Sequence, residues 1–226
     1  MTIARALDKI NGELENTDAR LVAVSKTFPA SAIWEAYDHG QLVFGESTAQ
    51  ELCEKYEILP KDIEWHFIGH LQTNKVKYIA PFVSMIHAVD SLKLLQTINK
   101  EAEKHNRVID VLLQIHIADE ETKYGLYEDD IIGVLGDPSY VKMKNIKVRG
   151  LMGIATQTND DFKIEGEFLQ LRDIFTRLKF TVFNDDPLFN ELSMGMSHDY
   201  KLALRHGSTL IRVGSLIFGN REYSPL

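Results

Sequence analysis

A single (β/α)8 barrel of the TIM type, with one extra helix ahead of it, is the fold this sequence predicts. Three observations carry that expectation. Eight short apolar runs alternate with stretches of helical periodicity; the runs are nearly continuously apolar; and 226 residues accommodate eight strand–helix units. Continuous apolar runs mark parallel strands covered on both faces. No GxGxxG follows the first run, which argues against an open dinucleotide-binding sheet.

The elements follow in chain order. The first segment sets Ile3, Ala6, Leu7, Ile10 and Leu14 on one helical face. LVAVSKT, from Leu21, is the first strand, and SAIWEAYDHG the next helix, with Ser31 as its N-cap and Gly40 at its end. LVFGES, IEWHFIG and MIHAVD are the second to fourth strands. Between them lie the helices TAQELCEKYEIL and QTNKVKYIA, the latter stopped by Pro81. Ser91 opens the helix SLKLLQTINKEAEKH. VIDVLLQIHIA is a long fifth strand, YEDDIIGVLGD a helix, and VRGLMGIA the sixth strand. FKIEGEFLQLRDIFTRLKF is a long helix and ELSMG the seventh strand. HDYKLALRHG is a helix closed by Gly207, and LIRVG is the eighth strand. No Pro/Gly/Ser linker or low-complexity segment interrupts the chain, so residues 1–226 are expected to form one domain.

The net charge is −8, with acidic residues spread along the chain, a balance that repels phosphate backbones and argues against a nucleic-acid partner. Cys53 is the one cysteine; it excludes an internal disulfide and fits a reducing cytoplasm. No catalytic signature surrounds it, so it reads as a small helical residue and not as a nucleophile. The N-terminus alternates apolar and charged residues, unlike a signal peptide, and no apolar run is long enough to span a bilayer. A cytoplasmic protein without a membrane partner is expected.

In such a barrel, functional groups collect at the C-terminal ends of the strands. Standing there are Ser25-Lys26-Thr27, Gly45-Glu46-Ser47, Gly69-His70, Asp90-Ser91, the stretch Ser193 to Ser197, and Arg212 with Gly214-Ser215. Lys26 directly follows an apolar run, where an unpaired charge is costly. Either it escapes to solvent at a strand end, or it is a desolvated amine with a lowered pKa that can attack an aldehyde. The turns after the last two strands offer Ser193, Gly195, Ser197, Gly214 and Ser215 as phosphate donors, in the place where barrels often bind phosphate. Their glycines also suit plain tight turns. His66 and His70 have the spacing of a helical metal pair, yet on a strand four residues separate too far for joint ligation, so no metal is expected. Asp119-Glu120-Glu121 and Asp185-Asp186 read as solvated loop charges.

The segments AVSKTFP around Lys26, FGESTAQE from Phe44, WHFIGHLQTNKVK from Trp65, IHAVDS from Ile86, EETKYGL from Glu120, GLMGIAT from Gly150, LSMGMSHDY from Leu192 and GSTLIRVGSLIFGNR from Gly207 span nearly the whole chain. In content and order they resemble the pyridoxal phosphate homeostasis proteins, relatives of the N-terminal barrel of alanine racemase. The resemblance implies that pyridoxal 5′-phosphate (PLP) is the cofactor, held as a Schiff base on Lys26. It also implies that Ser193, Gly195, Ser197, Gly214 and Ser215 surround the phosphate and that Arg212 faces the pyridine nitrogen. Two positions depart from the family pattern. Ser47, expected among the cofactor-binding residues, stands where Asn is usual; it is shorter and has no amide, so its contact to the cofactor ring is direct, bridged by water or lost, whereas Ser215 replaces a usual Thr and keeps the hydroxyl.

Arginine stays protonated, so a ring nitrogen paired with Arg212 is held unprotonated and the ring is a poor electron sink. In the racemase relatives an all-β second domain completes the site, and none is expected within this chain. The expectation is therefore a protein of intracellular PLP homeostasis, without catalytic activity of its own, with PLP-dependent apoenzymes as candidate recipients. The alternatives are a PLP-dependent amino-acid racemase or lyase of modest activity, and a barrel enzyme whose Lys26 forms a Schiff base with a phosphorylated sugar.

Overall fold

The computed structural model describes residues 2–120 and 122–219; Glu121 of the EETKYGL segment and the end of the last matched segment, residues 220–221, lie outside them. Eight parallel strands close into a barrel in chain order. They are β1 (Arg20–Val24), β2 (Val43–Glu46), β3 (Glu64–Phe67), β4 (Met85–Val89), β5 (Ile109–Ile115), β6 (Ile146–Gly153), β7 (Glu191–Met196) and β8 (Leu210–Val213). The expected (β/α)8 barrel is what the chain forms. β1 seals the barrel against β8, with Val22 opposite Arg212.

The continuous apolar character of the strands follows from their two buried faces. One face fills the barrel interior with Val22, Met85, Leu112, Met152 and Leu210. The other, with Ala23, Phe44, Trp65, Ile86, Val111 and Leu151, packs under the helices. Side chains alternate between these faces, so strand parity decides which residues point into the barrel. Val22 and Val24 are on the inward set, and Lys26 continues it beyond the strand end.

The helices are α1 (Ile3–Leu14), α2 (Ala30–Asp38), α3 (Ala49–Ile58), α4 (Val76–Ile79), α5 (Leu92–Lys104), α6 (Glu128–Gly136), α7 (Asp161–Thr181), α8 (Tyr200–Arg205) and α9 (Ser215–Phe218). α1 lies ahead of the barrel and buries Ala6, Leu7, Ile10 and Leu14, the face its periodicity marks out. Ser91 caps α5 by accepting from the Leu94 N–H, and α4 ends before Pro81. Gly40, at φ 94°, terminates α2 in the left-handed region that glycine adopts without penalty.

Two local expectations need correction, and one element is new. The N-cap of α2 is Pro29, not Ser31. Proline's fixed φ and missing N–H suit a helix start, so the helix begins two residues earlier and Ser31 lies within its first turn. β1 stops at Val24, and Lys26-Thr27 belong to the following turn, where Thr27 has φ 70°. α9 went unanticipated because four residues show no periodicity. Among the described residues, no helix is long and apolar enough to cross a membrane.

Candidate functional site

At the C-terminal end of the barrel the turns enclose a cleft of about 660 Å³. Lys26 and Phe28 reach it from the turn after β1, and Lys123 from the loop after β5. Ser197 and His198 come from the turn after β7, and Arg212, Gly214 and Ser215 from β8 and its exit. Three of the lining side chains are cations, and none of the described lining residues is a carboxylate. In a chain of net charge −8, that local excess of positive charge favours an anionic ligand.

The β7 and β8 turns are tied together. The Gly214 N–H donates to Ser197 Oγ at 3.2 Å. A Cβ on Gly214 would lie 2.8 Å from the Val24 carbonyl oxygen, so a side chain here would push the β8 exit away from β1. Ser215 then starts α9, where the first backbone N–H groups lack intrahelical acceptors by position. Gly195 has another role. It sits at φ 91°, and a Cβ there would come within 2.6 Å of Ala203 Cβ and 2.9 Å of Tyr200 Cα. It lets α8 pack directly on β7 and is not among the lining residues.

Arg212 is 4% exposed. It donates from Nη1 to Ser193 Oγ at 2.7 Å and from Nη2 to the Gly153 carbonyl at 2.9 Å. Burial lowers its pKa to about 10, which leaves it charged at neutral pH. Ser193 is fully buried below the cleft. Its Oγ also lies 3.0 Å from His87 Nδ1, and His87 Nε2 lies 2.9 Å from His66 Nδ1. Arginine only donates, so Ser193 Oγ accepts from it and its own hydrogen is available to His87 Nδ1. A single N–H, carried by one ring or the other, bridges His87 Nε2 and His66 Nδ1. Burial lowers both histidines, His66 to about 3, so both are neutral at pH 7, as this chain of bonds requires.

The structure therefore gathers Lys26, Ser197, Arg212, Gly214 and Ser215 around one cleft, and sets three expected residues elsewhere. Ser193 lies in the barrel interior as a support of Arg212, Gly195 packs against α8, and Ser47 borders a smaller groove. That groove, about 290 Å³, is also lined by Thr48, His70, Gln72 and Lys75. His66 and His70 do not meet: the first is buried among interior side chains, and the second is exposed, pairs with Asp90 at 3.2 Å and stacks on Tyr124. Among the described residues no group of three or more His, Cys, Asp or Glu is placed to hold a metal ion.

Sequence reasoning did not single out Lys123 or His198 as lining residues. Lys123 donates to the Ala155 carbonyl at 2.7 Å and pairs with Glu120 at 3.0 Å. Its presence in the EETKYGL segment was the available signal. Neither did it find Lys55 of α3, which is 6% exposed and donates to the Ser25 carbonyl beside Lys26.

Comparison with known proteins gives consistent matches. The family model for the alanine racemase N-terminal domain matches residues 2–222. A pyridoxal phosphate homeostasis protein from Aquifex aeolicus is 38% identical, over 98% of this chain and 97% of that protein. One from Homo sapiens is 37% identical, over 98% of this chain and 84% of that protein. Among solved structures, PipY of Synechococcus elongatus PCC7942 with PLP bound is similar with a TM-score of 0.85 and 34% identity, covering 96% of this chain and 100% of that one. Alanine racemase from Bartonella henselae shares the fold at a TM-score of 0.71 and 14% identity, this chain matching 60% of its length.

Proposed function

The chain belongs to the pyridoxal phosphate homeostasis proteins, within the alanine racemase N-terminal domain family, and from that premise we propose that it is a single-domain PLP-binding protein of intracellular PLP homeostasis, holding the cofactor as a Schiff base on Lys26. The observation that carries this reading is the cationic cleft, lined by no carboxylate among the described residues, where Lys26, Ser197 and Ser215 from the turns after β1, β7 and β8 meet Arg212 of β8. That donor set fits PLP: hydroxyls and backbone N–H groups for a phosphate, a primary amine for an aldehyde, and a buried guanidinium for a ring nitrogen. PLP-bound PipY, similar over nearly the whole chain, supports it.

When bound, PLP supplies an aldehyde that condenses with an amine and a ring that withdraws electrons. The chain's residues do the rest. Lys26 presents its amine from the end of the inward-facing set on β1. Ser197, Gly214 and Ser215 bind the phosphate through hydroxyl and backbone donors. Arg212 donates toward the ring nitrogen and, staying protonated, keeps that nitrogen from taking a proton. Ser193 and His87 hold the guanidinium in place from below. Gly195 serves through the β7–α8 contact, and Ser47 borders the adjoining groove without contacting the cofactor.

A carrier that yields PLP to apoenzymes in the cytoplasm follows better from this arrangement than a racemase or lyase, because Arg212 remains charged and weakens the ring as an electron sink. Borohydride reduction followed by mass spectrometry tests the attachment. The adduct belongs on Lys26, and an adduct on Lys75 or Lys123 overturns the reading. A colourless protein that instead traps a phosphorylated sugar on Lys26 would point to aldolase-type chemistry.

A further inference from the structure

The turn that carries Lys26 is held from behind by a buried ion cluster that the binding role above does not use. Ser25 and Glu46 follow Ala23 and Phe44 on the outward-facing set, so they lie under α3 while Lys26 turns the other way. Ser25 Oγ donates to Glu46 Oε1 at 2.6 Å. Lys55 Nζ donates to Glu46 Oε1, to Glu51 Oε1 and to the Ser25 carbonyl, each at 2.7 Å. Glu51 Oε1 also accepts from the Thr27 N–H at 2.6 Å. One lysine thus fixes the residue before Lys26 directly and the residue after it through Glu51.

The turn needs that restraint. Thr27 sits at φ 70°, a region that β-branched residues rarely adopt and that persists only where surrounding contacts enforce it. Lys55 is 6% exposed and Glu46 is fully buried. A cluster that merely fastened α3 to the sheet could be replaced by apolar packing at little cost. Such packing would supply neither the donor to the Ser25 carbonyl nor the acceptor for the Thr27 N–H.

We infer that Lys55, acting with Glu46 and Glu51, is a positioning residue for Lys26: it fixes the backbone on both sides so that the amine meets the cofactor's aldehyde in the cleft. This rests on the binding role proposed above. In the bond-forming step the unprotonated Lys26 amine adds to the aldehyde carbon. The carbonyl oxygen then leaves as water with both amine hydrogens, and the C=N bond remains. No oxidant or reductant enters, and Lys55 forms no bond to the cofactor.

Two variants test it. Glu51→Ala removes the acceptor of the Thr27 N–H at a side chain that is 24% exposed, so water takes the vacated positions and folding is preserved. Glu46→Gln with Lys55→Met removes the cluster without stranding a buried carboxylate. Each is read by thermal unfolding, by affinity for pyridoxine 5′-phosphate (which has an alcohol in place of the aldehyde), and by the rate at which added PLP forms the absorbing Schiff base. The expected result is unchanged affinity for pyridoxine 5′-phosphate and Schiff-base formation slowed on the order of ten- to a hundredfold, as displacement of a reacting group by about 1 Å produces. Glu51→Gln, which keeps an acceptor for the Thr27 N–H, should recover most of the rate.

Wild-type rates in Glu51→Ala overturn the inference. So does a parallel loss of pyridoxine 5′-phosphate affinity, which would show that the cluster supports the whole cleft. If the double variant does not fold, Glu51→Ala decides by the same readings. Peptide mapping of the reduced wild-type protein separates the two claims. An adduct on Lys26 with unimpaired variants refutes only the positioning role, whereas an adduct on another lysine refutes the binding role and the positioning role with it.

Discussion

Replacing Arg212 with glutamate tests whether a buried guanidinium restrains the chemistry of the cleft. Its pKa of about 10 means that removing its proton at pH 7 costs about 4 kcal/mol. A pyridine nitrogen facing it is therefore paired with a donor that holds its proton. The substitution deletes two charged hydrogen bonds, at 2.7 and 2.9 Å, to Ser193 and the Gly153 carbonyl. At roughly 1.5–3 kcal/mol each, about 3–6 kcal/mol of stability is at stake. Cofactor occupancy should fall too, because a buried carboxylate is costly unless paired. For the cofactor that remains bound, a carboxylate favours the protonated ring, and loss of the α-proton from an amino acid should speed up. The assay is exchange of the alanine α-hydrogen in heavy water, normalised to cofactor absorbance. A wild-type rate already near enzyme-like turnover, on the order of 10 per second, refutes the carrier reading. Equal exchange per bound cofactor in the two proteins refutes the role given to Arg212.

Other expectations follow from the same geometry. Lys26→Ala should abolish the yellow chromophore while leaving the barrel folded, since Lys26 is a half-buried turn residue at the cleft; retained colour refutes the attachment. Ser197→Ala and Ser215→Ala should each weaken PLP more than unphosphorylated pyridoxal, by about 1.5–3 kcal/mol per lost charged hydrogen bond. Calorimetric titration reads this, and equal losses for the two ligands would remove these residues from the phosphate site. His66 is held neutral in the fold, near 3 against 6.5 in the free chain. Its contribution is fully present above pH 6.5 and lost as pH falls toward 3, at most about 5 kcal/mol. His66→Gln should remove a slope of about 1.4 kcal/mol per pH unit between roughly pH 6 and 4 in denaturant titrations, and curves parallel to wild type contradict this. Glu46, raised to about 7 by burial, acts in the opposite sense. It favours the fold below pH 4.5, and that advantage is lost as pH rises through 7. Glu46→Gln should therefore stop the decline in that window, and an unaltered decline counts against the shift.

The sequence by itself determined the architecture and the rim. Strands buried on both faces must be apolar throughout, so eight such runs alternating with helices were legible as a barrel, and the residues closing each run were legible as its functional end. Lys26, Ser197, Arg212 and Gly214-Ser215 were found that way, because adjacency to a strand end is a local property. Local competition was less legible: Ser31 and Pro29 are both plausible starts for α2, and four residues are too few for α9 to show a period.

Depth and partnership were decided only by the tertiary structure. Parity says that Ser193 faces inward, but only closure of the barrel sets it beneath Arg212 and against His87. Ser47 follows β2 as Lys26 follows β1, yet the turn after β2 directs it to a neighbouring groove. Lys55 and Glu51, four residues apart, read in sequence as an ordinary surface pair on α3. Only the docking of that helix over β1 and β2 buries the lysine behind the Lys26 turn. The physical reason is that periodicity records which face of an element is desolvated, whereas a hydrogen bond between Ser25 and Lys55, 30 residues apart, depends on a distance that no local pattern encodes.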